Sequence, residues 1–118
     1  MADAFLVNGK LKQIEIDFFF VYGLMLQLCD DLQDVKEDLK NNHHTIFSLT
    51  VKRWPLDNIT DALFNMVDYV AELIDNLDVD NSSMIKNIYM RNCYLLVYFA
   101  IVKNKEFYSK SYFNNIKA

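Results

Sequence analysis

Apolar residues recur along the first part of the chain at alternating steps of four and three. The members of this repeat are Ile14, Phe18, Val21, Met25, Leu28, Leu32, Val35 and Leu39. Such spacing is typical of a helix that buries one face against neighbouring helices, and it predicts one long helix from Lys10 to about Lys40. The pair Asn8-Gly9 before it is typical of the end of a preceding helix.

Two helices of different length are predicted next. A short helix from Thr45 to Arg53 begins at a capping threonine, and Pro55 marks the turn that follows it, because the residue before a proline disfavours helix. A longer helix then extends to about Leu77, and we predict that it is an outer helix with an acidic, solvated face. The acids on that face are Asp61, Asp68, Glu72 and Asp75.

The last long helix is the most apolar of the set and runs from Met84 to about Val102. Its predicted broad buried face comprises Ile85, Ile88, Tyr89, Leu95, Leu96, Phe99 and Val102. Beyond it the chain is basic and rich in aromatic residues, with Tyr108, Tyr112 and Phe113. This tail is predicted to be a terminal packing helix, with a lid over a neighbouring site as the alternative.

Composition favours one all-α domain over residues 1–118, built as an antiparallel helical bundle. Hydrophobic residues make up 53% of the chain, and two glycines and one proline leave little material for turns. The net charge of −4 argues against a general nucleic-acid binder. Cys29 and Cys93 fall within helical patterns and are predicted to be buried thiols. The apolar runs are too short to span a bilayer and no signal-peptide pattern is present, so we expect a cytoplasmic protein.

A column of acids follows the first helix beside its apolar stripe. At about 100° per residue, Gln27, Asp31, Asp34 and Asp38 share one line, with Asp30 just off it. Toward the N-terminus the same line continues through apolar positions and a glycine, which are Ile16, Phe20, Gly23 and Leu24. Like charges at four-residue spacing cost about 0.2–0.5 kcal/mol a pair. The column is therefore either a solvated acidic face or a place where a hard cation such as Mg²⁺, which prefers oxygen ligands, is held.

The pattern Gln27-x-x-Asp30-Asp31-x-x-Asp34-x-x-x-Asp38, followed by Thr45, resembles the second aspartate-rich motif of the class I isoprenoid synthases. These include trans-prenyl diphosphate synthases and their squalene and phytoene synthase relatives. The resemblance implies a terpenoid synthase fold in which all four aspartates bind Mg²⁺ and Gln27 faces the diphosphate or the cation. It also implies catalytic roles for Asp30, Asp31 and Asp34 in releasing diphosphate from an allylic substrate. Phe20, Gly23 and Leu24 would then line the cavity for the hydrocarbon.

The resemblance covers only part of such an enzyme. Class I synthases carry two aspartate-rich motifs on facing helices and are typically more than twice this length. We therefore expect the chain to correspond to a C-terminal portion that is inactive alone. Whether it is a fragment, a truncated natural protein or a half-fold that dimerises stays open, as does the choice among chain elongation, condensation and cyclisation.

Two other functions remain open from the residues alone. Small all-α nucleoside triphosphate pyrophosphohydrolases hold Mg²⁺ with acidic pairs on adjacent helices, which Asp31-x-x-Asp34 and Glu72-x-x-Asp75 could imitate. A non-catalytic helical module that assembles through its aromatic surface would need no metal at all.

The adjacent His43 and His44 are predicted to lie in a loop. Lys52 and Arg53 are predicted to be solvated charges at a helix end, with contact to a diphosphate as the alternative.

Overall fold

A computed structural model describes residues 12–77 and 80–117 of the chain, and the predicted helix end at Asn8-Gly9 lies outside them. All regular secondary structure in the described ranges is helical, in agreement with the predicted all-α class. The helices are α1 (Gln13–Gln33), α2 (Val35–Lys40), α3 (Ile46–Thr50), α4 (Asp57–Asp75), α5 (Ser82–Lys103), a 3₁₀ turn (Lys105–Phe107) and α6 (Lys110–Lys117).

The core lies where α1, α4 and α5 pack pairwise against one another. The predicted apolar stripe packs on the core, with Phe18, Met25, Leu32 and Val35 almost completely buried and Ile14, Val21 and Leu28 partly buried. The most enclosed side chains of the three helices are Phe18, Met25, Leu32, Val67, Val70, Ile74, Val97, Ala100 and Ile101. Because α4 packs on both partners, it is not the outer helix that its acidic face suggested. That face is nevertheless solvated, as predicted.

Two buried polar side chains tie the three core helices together. The Tyr89 hydroxyl of α5 lies 3.2 Å from the Met25 sulfur of α1 and 3.2 Å from the Val67 carbonyl oxygen of α4. At the end of α5, the Asn104 amide donates to the carbonyl oxygen of Leu32 at 2.9 Å. Because buried polar groups are costly without partners, these contacts fix how α5 lies against the other two helices.

The predicted single helix from Lys10 to Lys40 is interrupted at Asp34, where φ is −94° and ψ is 11°. Backbone hydrogen bonds of helical spacing continue across this point, from the Asp34 N–H to Asp30 and from the Asp38 N–H to Asp34. Aspartate is a mediocre residue for a helix interior, and the neighbouring like charges weaken the helix further. The acidic column therefore crosses a helix junction.

The prediction of which face of α5 is buried is wrong for most of the helix. Ile88, Leu95, Phe99 and Val102 are 56%, 43%, 67% and 60% exposed. Tyr89 is buried as predicted, and the face that turns to the core continues from it through Cys93, Val97, Ala100 and Ile101. The helix is apolar around most of its circumference, so periodicity could not select one side. Beyond Tyr89, the buried side includes Cys93, Val97 and Ala100, which are smaller than the exposed Leu95 and Phe99.

Both thiols are free and buried, as predicted for Cys29 and Cys93. Burial raises the pKa of Cys29 to about 11, which keeps the thiol protonated and unreactive. Across the described residues, no helix has both the length and the apolar character required to cross a membrane.

Candidate functional site

The predicted line along α1 faces away from the core. Ile16, Phe20 and Leu24 follow one another at four-residue spacing and are 44%, 71% and 39% exposed. Gly23 lies between them, and a methyl group added there would meet no atom within 4 Å. Neither close helix packing nor backbone strain therefore requires this glycine. The upper half of the line is an open apolar strip.

The lower half of the line is a cluster of interacting carboxylates. Gln27, Asp30 and Asp34 are exposed, while Asp31 and Asp38 are half-buried. The pKa of the Asp31 carboxyl is raised, first by partial burial and then by the negative charges of Asp38, Asp30 and Asp34. His43 acts in the opposite direction and lowers this pKa. Three neighbouring acids thus act electrostatically on Asp31. The nearby Lys36 does not neutralise them, because its ammonium pairs with Glu106 at 2.8 Å.

These acids do not make a metal site by themselves. Among the described residues, no three His, Cys, Asp or Glu side chains converge closely enough to hold a metal ion. Carboxylates and a glutamine amide are suitable donors for Mg²⁺, but donors spread along one helix face reach a cation from one side only. The described acids therefore do not form a complete metal site.

The acidic pair of α4 does not complete the set. Asp75 forms an ion pair with Lys86 at 2.8 Å. Asp68 accepts a hydrogen bond from the Tyr94 hydroxyl at 2.6 Å. Glu72 is exposed, and it joins no three-residue group with Asp31 or Asp34 in the described part of the chain. Among the described residues, the two acidic pairs therefore do not come together as one group of ligands.

A capped loop holds His43 beside the acids. Thr45 caps α3 by accepting from the Ser48 N–H at 3.1 Å, and the Thr45 N–H donates to the Ser48 hydroxyl at 2.7 Å. That hydroxyl in turn donates to the His43 carbonyl oxygen at 2.9 Å. His43 and His44 are exposed loop residues, as predicted.

The C-terminal tail packs against the start of α4. The Tyr108 and Thr60 hydroxyls lie 2.6 Å apart in a buried contact, and the Tyr112 hydroxyl donates to Asp61 at 2.8 Å. Ser109 bonds to Asp57 through both its N–H and its hydroxyl. These contacts favour the terminal packing helix over the lid.

A concave region around Trp54 did not emerge from the sequence as a candidate site. The indole is 69% exposed, and a cavity of about 320 Å³ lies beside it, with Lys52 and Arg53 in its wall. The signal that could have found it is a lone tryptophan placed directly after two basic residues and before a proline.

The raised pKa of Asp31 predicts a pH-dependent contribution to stability. The folded chain binds this proton more tightly than the unfolded chain, so the free energy of unfolding falls as pH rises through the range just above the ordinary aspartate value. We expect Asp31→Asn to raise the free energy of unfolding at neutral pH by about 0.5 kcal/mol, the size of one or two like-charge pairs. Urea titrations across that pH range measure it, with exposed Glu72→Gln as the control. A loss of stability in Asp31→Asn would contradict the prediction.

Comparisons with models of protein families, with curated proteins and with solved structures give no match to this chain. The resemblance to class I isoprenoid synthases therefore rests on the sequence motif alone.

Proposed function

We propose that the chain is the C-terminal part of a class I isoprenoid synthase-type protein and supplies one wall of a site for an isoprenoid diphosphate. The observation that carries the proposal is the order of side chains on the outward line of α1. Three exposed apolar residues, Ile16, Phe20 and Leu24, lead through Gln27 into the carboxylate cluster. The line thus matches a substrate that is apolar at one end and strongly anionic at the other.

Each part of the line has a separate role in this proposal. Phe20 and Leu24 cover the hydrocarbon chain, and the open space at Gly23 allows that chain to approach the helix backbone. Gln27 donates from its amide to an oxygen of the diphosphate. The aspartates repel the diphosphate directly, so their role requires divalent cations between the two groups.

Asp30, Asp31, Asp34 and Asp38 are the residues that would contact Mg²⁺, together with ligands from outside the described residues. A bound Mg²⁺ would stabilise the negative charge that develops on a departing diphosphate. The described acids do not complete that site, so we assign no catalytic step to this chain alone. Its own contribution is to bind, orient and shield the substrate.

A magnesium and pyrophosphate titration followed by ¹H–¹⁵N correlation spectra tests the proposal. We expect weak binding, on the order of millimolar, with shifts confined to Gln27–Asp38 and His43. Geranyl diphosphate in place of pyrophosphate should extend the shifts to Phe20 and Leu24. Asp31→Asn/Asp34→Asn should remove the response, while the control Glu72→Gln should retain it. Shifts that persist in the double variant, or no shifts at all, would refute the proposal.

A helical assembly module is the second candidate, and one observation favours it. Exposed apolar side chains follow α5 from end to end, namely Met84, Ile88, Leu95, Phe99 and Val102. A strip of this length is the type of surface that another helix covers. The same titration separates the two functions, because an assembly module without a site would leave the α1 signals unchanged.

A further inference from the structure

We propose that the cleft around Trp54 is a second binding site, which takes a small anionic amphiphile with a phosphate head and an apolar chain. The site lies on the turn between α3 and α4, apart from the outward line of α1. It uses side-chain cations and not a metal ion. The inference does not depend on the proposed function.

The cleft is held by backbone and side-chain hydrogen bonds, so its shape exists before a ligand arrives. The backbone N–H of Trp54 donates to the Thr50 carbonyl oxygen at 2.9 Å. The backbone N–H of Leu56 donates to the Phe107 carbonyl oxygen at 2.9 Å. The second bond clamps the Trp54-Pro55 turn to the 3₁₀ segment. Preorganised walls reduce the entropy cost of binding.

Trp54 lines two cavities. One, of about 320 Å³, is bounded by Phe107 and Tyr108 as well as by the indole. The other, of about 480 Å³, lies on the side of Pro55 and Ile59. Both volumes fall within the roughly 300–1,000 Å³ typical of small-molecule sites. An elongated ligand that crosses the indole would occupy both cavities, which is why a small amphiphile fits better than a globular partner.

The charge around the first cavity selects an anionic head group. Lys52 and Arg53 line it, and neither forms an ion pair or side-chain hydrogen bond with another described residue. Its one acid among the described residues, Glu106, is paired with Lys36 at 2.8 Å, and that contact lowers the pKa of the carboxyl. The cavity therefore carries two available cations and one neutralised anion.

Covering the apolar surface of the site favours ligand binding. Trp54 is 69% exposed, and removing its large apolar side chain from water favours binding. Asp57, at the edge of the second cavity, accepts hydrogen bonds from the Ser109 N–H and hydroxyl, so its carboxylate is turned toward Ser109. The second cavity thus accepts the apolar chain while Lys52 and Arg53 hold the head.

Trp54 fluorescence measures binding directly, because it is the chain's single tryptophan. Dodecyl phosphate, kept below its micelle concentration and in the presence of EDTA, is the probe. We expect a saturable shift of the emission to shorter wavelength. Inorganic phosphate alone should give no shift, and neutral dodecyl maltoside should bind at least about tenfold more weakly, since a charge-assisted hydrogen bond contributes about 1.5–3 kcal/mol. An equal response to the neutral detergent would overturn the proposal.

Charge-matched variants separate this site from general attraction. Lys52→Gln/Arg53→Gln should weaken dodecyl phosphate binding about tenfold or more. Arg91→Gln/Lys103→Gln removes the same charge from exposed positions on α5 and should bind as the parent chain does. Equal losses in both variants would overturn the proposal, and circular dichroism confirms that each variant is folded.

Vesicles of phosphatidylglycerol distinguish a dissolved ligand from a lipid headgroup of the same chemistry. A response to dissolved dodecyl phosphate and none to vesicles supports the cavity site, whereas a response to vesicles alone overturns it. Binding in EDTA also separates this test from the titration of the α1 acids, which requires Mg²⁺. Failure of either experiment leaves the other intact.

Discussion

Replacing Phe18 by alanine is expected to lower the free energy of unfolding by about 3–5 kcal/mol. The side chain is 1% exposed, and its ring packs edge-on against Phe19 and beside Tyr22, with centroids 5.4 and 5.6 Å apart. Truncation therefore removes apolar burial and leaves a cavity between α1 and its partners. A small domain has only about 5–15 kcal/mol of stability in total, so the loss is severe. Urea unfolding followed by circular dichroism measures it.

The matched control lies two residues along the chain. Phe20 is 71% exposed, so Phe20→Ala should change the free energy of unfolding by no more than about 0.5 kcal/mol. The same variant should lose the geranyl-dependent shifts expected on α1, because this ring is proposed to cover the hydrocarbon. Equal destabilisation by Phe18→Ala and Phe20→Ala would show that the outward line is packed and would remove the basis of the proposed site.

The three consecutive phenylalanines show what periodicity can predict. Steps of four and three place Phe18 on the buried stripe together with Met25 and Leu32, and the structure confirms all three. Phe20 falls on a different side of the helix, and its exposure follows from that direction. On α1 the repeat through Phe18, Met25 and Leu32 therefore identified the buried side, although the outward side also carries apolar residues.

Spacing fails where a helix is apolar on every side, and α5 is the example. Phe99 and Val102 are more hydrophobic than Cys93 and Ala100, yet the smaller pair is buried. Burial there depends on how closely three helices can approach, which is a property of the assembled core.

The candidate site was predictable to the same limited extent. Sequence placed Gln27, Asp31 and Asp34 on one line with Phe20 and Leu24, and these residues do share the outward side of the first helical segment. It did not predict the junction at Asp34 or whether the carboxylates converge, because convergence depends on elements that face them. The cleft at Trp54 could not be predicted from local sequence because its walls come from segments about 50 residues apart.

Truncation of Tyr108 is the second large effect that we expect. The side chain is 8% exposed, its hydroxyl lies 2.6 Å from that of the fully buried Thr60, and its ring stacks on Tyr112 with centroids 5.2 Å apart. Tyr108→Ala removes the ring and leaves the Thr60 hydroxyl without this partner. We expect a loss of about 3–5 kcal/mol, measured by urea unfolding with the slope fitted independently.

Two conservative variants divide that loss into packing and hydrogen bonding. Tyr108→Phe keeps the ring and removes only the buried hydroxyl contact, so it should cost about 1–3 kcal/mol, the penalty for an unsatisfied buried polar group. Tyr112→Phe removes a hydroxyl that bonds to Asp61 at the surface, where water replaces the partner, and should cost less than about 0.5 kcal/mol. A mobile lid would leave the stability of all three variants unchanged. The graded series is therefore the signature of a tail whose tyrosine is part of the core that holds α4 in place.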